Sequence, residues 1–205
     1  MNVKSISYDE ATPLIVNTHY ASRVPSISFA FGLFDGLDLL GVVTFGSPAS
    51  PFVCTGVCGP ENKDLVLELN RLVLKDNKPN QASFLVANAI KKLPKPRVIV
   101  SYADTAQGHS GIVYQACNFF FCGTSKERTD MAAEDGKHPR HHAGISANRV
   151  FRSSKHRYVF FHGSKKEKKH LRHKLRWTPL PCFPKGKKQN TANTFKKIPT
   201  QPRLI

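Results

Sequence analysis

Long apolar runs are absent from this 205-residue chain. With a mean hydropathy of −0.34, that argues against a membrane span. The opening MNVKSISYDE has no apolar stretch of the kind an export signal needs, so the expected compartment is the cytoplasm. No internal repeat is visible. Cysteines number five, an odd count that, without an export signal, speaks against a disulfide framework. Cys54 and Cys58 are not followed by a second pair at zinc-finger spacing. They read as packed or free thiols, with metal ligation the lesser alternative.

Acidic residues are also scarce: 14 Asp and Glu face 31 Lys and Arg, for a net charge of +17. The imbalance is local. Residues 126–205 hold 21 of the Lys and Arg but 5 of the Asp and Glu, a net +16, which leaves +1 for residues 1–125. A near-neutral front and a strongly basic back suggest a folded core joined to a polyanion-binding surface. Nucleic acid is the favoured polyanion, and a merely solvated basic tail is the plainer alternative. Hydrophobic residues make up 40% of the chain, enough for one sizeable core.

The pattern predicts a short helix over Asp9–His19, with Pro13 tolerated near its start. A hairpin follows, SISFAFGLF from Ser26 and then Leu37–Phe45, around Asp35-Gly36. SPASPFVCTGVCGPENK reads as a loop. LVLELNRLVL from Leu65 reads as a strand buried on much of both faces, ASFLVANAIKKL from Ala82 as a helix, and RVIVSYAD from Arg97 as a central strand. GHSGIVYQACNF is expected as a helix and FFFCG from Phe119 as a strand, with the recognisable core ending near Gly123. Beyond it come an irregular polar excursion over 125–149, a strand in SKHRYVFFHG from Ser153, and a basic helix in SKKEKKHLRHKLRW from Ser164. From Pro179 on, repeated Pro and Lys suggest an extended or disordered end. Strand–helix–strand crossovers after a hairpin define an α/β (α+β) fold with a mixed, mostly antiparallel sheet flanked by helices. The expected division is a folded core over 1–124, a basic extension packed on it over 125–180 that suits a nucleic acid, and a flexible tail over 181–205.

This order of elements resembles GNAT-type acyltransferases, with the strand beginning at Glu68 as the central one. In that fold the following turn usually carries a glycine-rich pyrophosphate signature at a helix start. Here it reads KDNKPNQAS, with no glycine. Such a turn brings its amides less readily against a pyrophosphate, which argues against ordinary acetyl-CoA use. More specific are HYASRVPS from His19, VVTFGSPASP from Val42, ELNRLVLKDNKPNQASFLV from Glu68, VSYADTAQGHSGIVYQACNFFFCG from Val100 and KHRYVFFHGSKKEKKHLRHKL from Lys155. In that order these segments resemble the phage Mom family, over about four-fifths of the chain. The resemblance implies conversion of adenine in double-stranded DNA to its N6-carbamoylmethyl derivative, in a bacterial host during infection, protecting phage DNA from restriction.

By the same resemblance His19, Tyr20, Arg71, Asp104 and Tyr114 fall at active-site positions. The chemistry of each can be read beside it. His19 can carry a proton at neutral pH. Tyr20 can stack on an extruded base or donate a hydrogen bond. Arg71, on an apolar strand, needs an anionic partner, either a phosphate or Asp104, or else forms a purely structural ion pair. Asp104 can orient His19, accept from the adenine amino group, or simply cap the next helix. Tyr114 lies where GNAT enzymes often place the tyrosine that protonates the leaving group; a core aromatic is the equal alternative. Ser83 and His109 are candidate donor or phosphate contacts at helix starts. Lys165, Lys166, Lys168, Lys169, Arg172, Lys174 and Arg176 are the expected DNA contacts. Tyr20, Tyr102 and Phe29 are stacking candidates for a flipped base, and equally candidates for the core.

The donor is left open between an acyl-CoA and a glycyl-tRNA-like activated acyl group, the second making tRNA a partner. Glycyl transfer to N6 would leave a free amine. That amine could attack C6 through a five-membered ring and expel the amide nitrogen, giving the carbamoylmethyl product. A metal, iron included, is an alternative suggested by His138, His141 and His142 with Asp130 and Glu134 upstream. Two other functions compete: an acetyl-CoA-dependent N-acetyltransferase, and a non-catalytic basic DNA-binding protein.

Overall fold

The computed structural model describes residues 1–19, 24–131 and 149–185. A seven-stranded sheet runs in the order β1-β2-β3-β4-β5-β9-β6. Its strands are β1 (Asn2–Ser5), β2 (Phe29–Asp35), β3 (Asp38–Gly46), β4 (Val66–Leu74), β5 (Arg97–Asp104), β6 (Phe120–Thr124) and β9 (Lys155–His162). A separate two-stranded sheet pairs β7 (Arg128–Met131) with β8 (Arg149–Arg152). Among the described residues, β4 pairs in parallel with β5, bridged by α3 (Gln81–Lys92), and the other pairings are antiparallel. The architecture is the GNAT-like mixed α/β sheet expected from the sequence.

Alternation along the strands divides the core into two layers. On one face α3 covers Phe31, Leu33, Val43, Phe45, Leu69, Ile99, Phe119 and Tyr158. On the other, α1 (Tyr8–Thr18) packs over Ala30, Val42 and Val73. Further along that face, α2 (Pro51–Cys58) and α5 (Lys165–His173) pack over Val66, Val98, Val100, Val159 and Phe161. Tyr158, Phe45 and Phe119 are almost wholly enclosed, and each such side chain contributes about 1.5–3 kcal/mol of transfer free energy.

Local chemistry explains the helix ends. Ser7 and Glu10 form a reciprocal capping box at α1, and Ser164 and Glu167 form another at α5. Pro13 sits in the second turn of α1, not its first.

Four sequence expectations need correction. The segment read as a loop after β3 contains α2 and a 3-10 turn over Pro60–Leu65. Pro51 opens the helix, Val57 and Cys58 give it a buried stripe, and Gly59 at φ 88° ends it. The helix expected from Gly108 is only α4 (Ile112–Ala116), because Gly108 and Gly111 adopt left-handed backbone before it and Asn118 does so after it. The polar excursion over 125–149 contains strand β7, and its last residue opens β8. Finally, the core does not stop at Gly123: β9 lies between β5 and β6 with Tyr158, Val159 and Phe161 buried. The expected disordered end falls largely outside the described residues.

Candidate active site

The site is set by the way β4 and β5 part. They pair only over Val66–Glu68 and Val98–Val100, although β4 continues to Leu74 and β5 to Asp104. The last tie across the gap is a side chain: the Ser101 hydroxyl donates to the Leu69 carbonyl at 3.0 Å. Beyond it the two strands form the walls of a wedge.

A β-bulge aims the β4 wall. Thr44 is opposite Arg71 and Phe45 opposite Leu69, so Asn70 is the extra residue. Asn70 is anchored on the β3 side, its amide donating to the Ser26 carbonyl at 2.7 Å and its oxygen accepting from the Thr44 hydroxyl at 2.6 Å. The freed Asn70 carbonyl accepts from the Arg71 guanidinium at 2.6 Å. Arg71 is thereby held, half-buried, at the wedge.

On the opposite wall, Asp104 ends β5 and is 8% exposed. One carboxylate oxygen accepts from the Ser153 hydroxyl at 2.5 Å and the Ala106 N–H at 3.0 Å; the other takes the Lys155 ammonium at 2.9 Å. Burial alone would raise its pKa. The hydrogen bonds from Ser153 and Lys155, with the lysine's charge, outweigh that and hold it below the ordinary carboxylate value. Asp104 is therefore a carboxylate at neutral pH, paired with Lys155 where the sequence had suggested Arg71. It also caps the short 3-10 turn over Thr105–Gln107, ahead of Gly108 and not after it.

Next to it, the His109 N–H donates to the Asp104 carbonyl at 3.1 Å. Although part of His109 is exposed, desolvation of its ring lowers its pKa, opposed by the Asp104 charge. Its imidazole is neutral near pH 7. The intervening Ser110 carbonyl accepts from the buried Tyr158 hydroxyl at 2.5 Å, and Gly111 lies against the Tyr158 ring, where a Cβ would come within 2.4 Å.

The remaining candidates are more dispersed. His19 follows α1, half-buried, with its N–H bonded to the Ile15 carbonyl; Tyr20 lies outside the described residues. Tyr114 belongs to the α3-side layer, its ring 5.5 Å from Phe119 and 5.2 Å from Tyr158. Tyr102 packs on the opposite side against Trp177, and burial pushes its phenol well above its ordinary pKa. Phe29 packs against the core at the start of β2. The structure thus brings Asp104 and His109 together and leaves Tyr114 in the aromatic layer.

An activated acyl donor of the CoA kind would need a cradle for its phosphates. α3 starts at Asn80 in left-handed backbone (φ 65°) with no side-chain cap. The first-turn N–H groups of Ala82 and Ser83 lie beyond the reach of helix carbonyls and suit an anion. The Ser83 hydroxyl itself turns back to the Asn80 carbonyl at 3.1 Å. One asparagine supplies the positive φ that a glycine-rich turn would otherwise supply, so these residues fit an anionic donor. Among the described residues no group of three His, Cys, Asp or Glu side chains is arranged to hold a metal ion. His138, His141, His142 and Glu134 lie outside the described residues.

The seven basic residues around α5 are all exposed. Arg172 stacks over Phe120 at 4.4 Å, and Lys165, Lys168 and Lys169 line a groove of about 390 Å³ floored by Phe120, Phe160 and Phe161. No described helix is long and apolar enough to cross a membrane.

Sequence reasoning missed Ser153, Lys155, Ser101 and Asn70. The signal for Asn70 and Ser101 was a lone small polar residue inside an apolar strand. Lys155 and Ser153 gave none, because their role depends on β9 pairing with β5.

The fold is that of the acyltransferases. A Salmonella typhimurium protein described as an acetyltransferase, solved with acetyl-CoA, superposes with a TM-score of 0.50 over 80% of this chain and 96% of its own, at 9% identity. An agmatine N-acetyltransferase does so at 0.50 over 78% and 99%, at 10% identity. Residues 1–181 match the Mom protein family, and the chain belongs to that family. It is similar to the methylcarbamoylase mom of Escherichia phage Mu, 34% identical over 130 residues. That alignment covers 60% of this chain and 54% of the relative's length.

Proposed function

We propose that this protein is a phage DNA-modification enzyme, an acyltransferase-like transferase that converts adenine in duplex DNA to its N6-carbamoylmethyl derivative in the host cytoplasm. The observation that carries the proposal is the family match over residues 1–181, on a fold whose central strands part beside an ionised, fully engaged Asp104.

The lone pair of adenine N6 is delocalised into the ring, so catalysis has to supply positioning and proton removal. The base must also leave the stack to reach the wedge. Asp104, tied by Ser153 and Lys155, is a fixed negative charge that orients the amino group. His109, whose imidazole is neutral near pH 7, and His19 are the candidate groups to accept its proton. Arg71, steadied by the Asn70 carbonyl, offers positive charge to an acyl or phosphate oxygen, and Tyr114 is the candidate donor to the leaving group. When bound, an activated acyl donor supplies the carbon that becomes attached to N6; its anionic part would lie at the α3 start near Ser83. Lys165, Lys166, Lys168, Lys169, Arg172, Lys174 and Arg176 would hold the DNA backbone.

Mass spectrometry of nucleosides from DNA of cells expressing the chain tests this reading. The expected outcome is an adenosine heavier by one carbamoylmethyl group, lost with Asp104→Asn. Unmodified DNA in cells holding abundant folded protein would sink it in favour of a binding protein without catalysis.

A further inference from the structure

The β7–β8 ribbon stands apart from the main sheet, yet its root is fastened to the Asp104 end of β5. The Ser125 N–H donates to the Lys155 carbonyl at 2.9 Å, and the Lys155 N–H donates to the Ser125 hydroxyl at 2.9 Å. Thr105 holds the Ser154 carbonyl through its N–H at 3.2 Å and its hydroxyl at 2.7 Å. Ser153, the next residue after β8, donates to Asp104 itself. The ribbon is thus an extension of the candidate active site.

Its register is informative. Arg128 is directly opposite Arg152, and Thr129 opposite Phe151. Register partners share a face of the ladder, so two guanidinium-bearing residues occupy one face and Phe151 the other. Arg128 also lies close enough to Tyr102, on the wedge wall, for its charge to act on the phenol. Phe151 is 62% exposed, an apolar side chain offered to solvent in the most basic half of the chain.

α5 does not duplicate this position. β9 starts beside Asp104 at Lys155 and ends beside Arg97 at His162. Seven steps of extended chain span about 23 Å, and α5 begins beyond them at Lys165. The two basic elements therefore start from opposite ends of β9.

We propose that the β7–β8 ribbon is a DNA-engaging arm that enters a groove of the duplex. Arg128 and Arg152 take phosphates beside the target nucleotide, and Phe151 makes apolar contact within the groove. A two-stranded ribbon is of a size the major groove admits. This rests on the DNA reading above and adds an element to it: α5 supplies affinity at a distance, and the ribbon sets the register of the duplex against Asp104.

The test uses the full chain, binding to a 20-base-pair duplex across a salt series, and nucleoside mass spectrometry from expressing cells. Arg128→Gln with Arg152→Gln is expected to flatten the log affinity against log salt slope by about 1–2. Lysine at both positions should restore the slope. Phe151→Ser should leave the slope and the thermal melt unchanged while cutting modification at least fivefold. Lys168→Gln with Lys169→Gln should flatten the slope too, but modification should recover when more protein is expressed. Glutamine and serine variants that bind and modify as the parent protein does would overturn the ribbon proposal alone. A parent protein that neither binds nor modifies duplex DNA would overturn the DNA reading, and the arm with it.

Discussion

The Lys155 ammonium lies 2.9 Å from Oδ2 of Asp104, and the two residues are register partners on adjacent strands. Fifty-one positions separate them in the chain, so the ion pair at the candidate site exists only once β9 has joined β5.

Replacing Lys155 with methionine is expected to destabilise the protein by about 1–2 kcal/mol. The figure is below that for a fully buried pair because the lysine side chain is 36% exposed. The pair also fixes a pH dependence. Its folded state holds the Asp104 pKa below the unfolded value near 4. The stabilisation is complete above that value and is lost as pH falls through the lower, folded one. Thermal melts of the parent protein and Asp104→Asn should therefore differ at pH 7 and converge in acid. A gap that widened below pH 4 would contradict this.

Asn70 is a second point of leverage. Asn70→Ala leaves the buried Thr44 hydroxyl and the Ser26 carbonyl without the partners they have now. A loss of about 1–3 kcal/mol follows from those unmet groups. Because the bulge also aims Arg71, modification should fall further than the loss of folded protein explains. Comparing modified adenine per folded molecule at a temperature where both proteins are folded would check it.

The thiols give a third prediction. Cys58, Cys117 and Cys122 are buried and pushed up to about 11, chiefly by desolvation. Cys54 is half-buried and raised in the same direction, whereas Cys182 is exposed. A thiol reagent at pH 8 should label one cysteine quickly, and Cys182→Ser should abolish that phase. The three buried thiols should react only on unfolding.

Much of the fold was legible because hydrophobic periodicity is local. β5 runs from Arg97 to Asp104 as read, and α5 sits where its basic run suggested. α2 was hidden by its proline and glycines, which mark a helix's two ends as readily as they mark a loop. The short α4 was overestimated because the positive φ at Gly108 and Gly111 is not visible from composition. The resemblance singled out Asp104 as a candidate, but nothing in the sequence pointed to its partners: Ser153 and Lys155 reach it through strand pairing distant in sequence. No propensity at Lys155 predicts that it will sit across from Asp104.

The placement of β9 has a consequence for how the molecule comes into being. β6 is synthesised well before β9, yet among the described residues β9 is the strand it pairs with. A growing chain on the ribosome can assemble β1 through β5 from close-range pairings. It must then carry one orphan strand, and a carboxylate without its cation, until residue 162 has cleared the exit tunnel. Contacts of such long sequence separation are slow to form. The Asp104–Lys155 pair, and the candidate site built on it, is therefore among the last parts of the fold that a growing chain can complete.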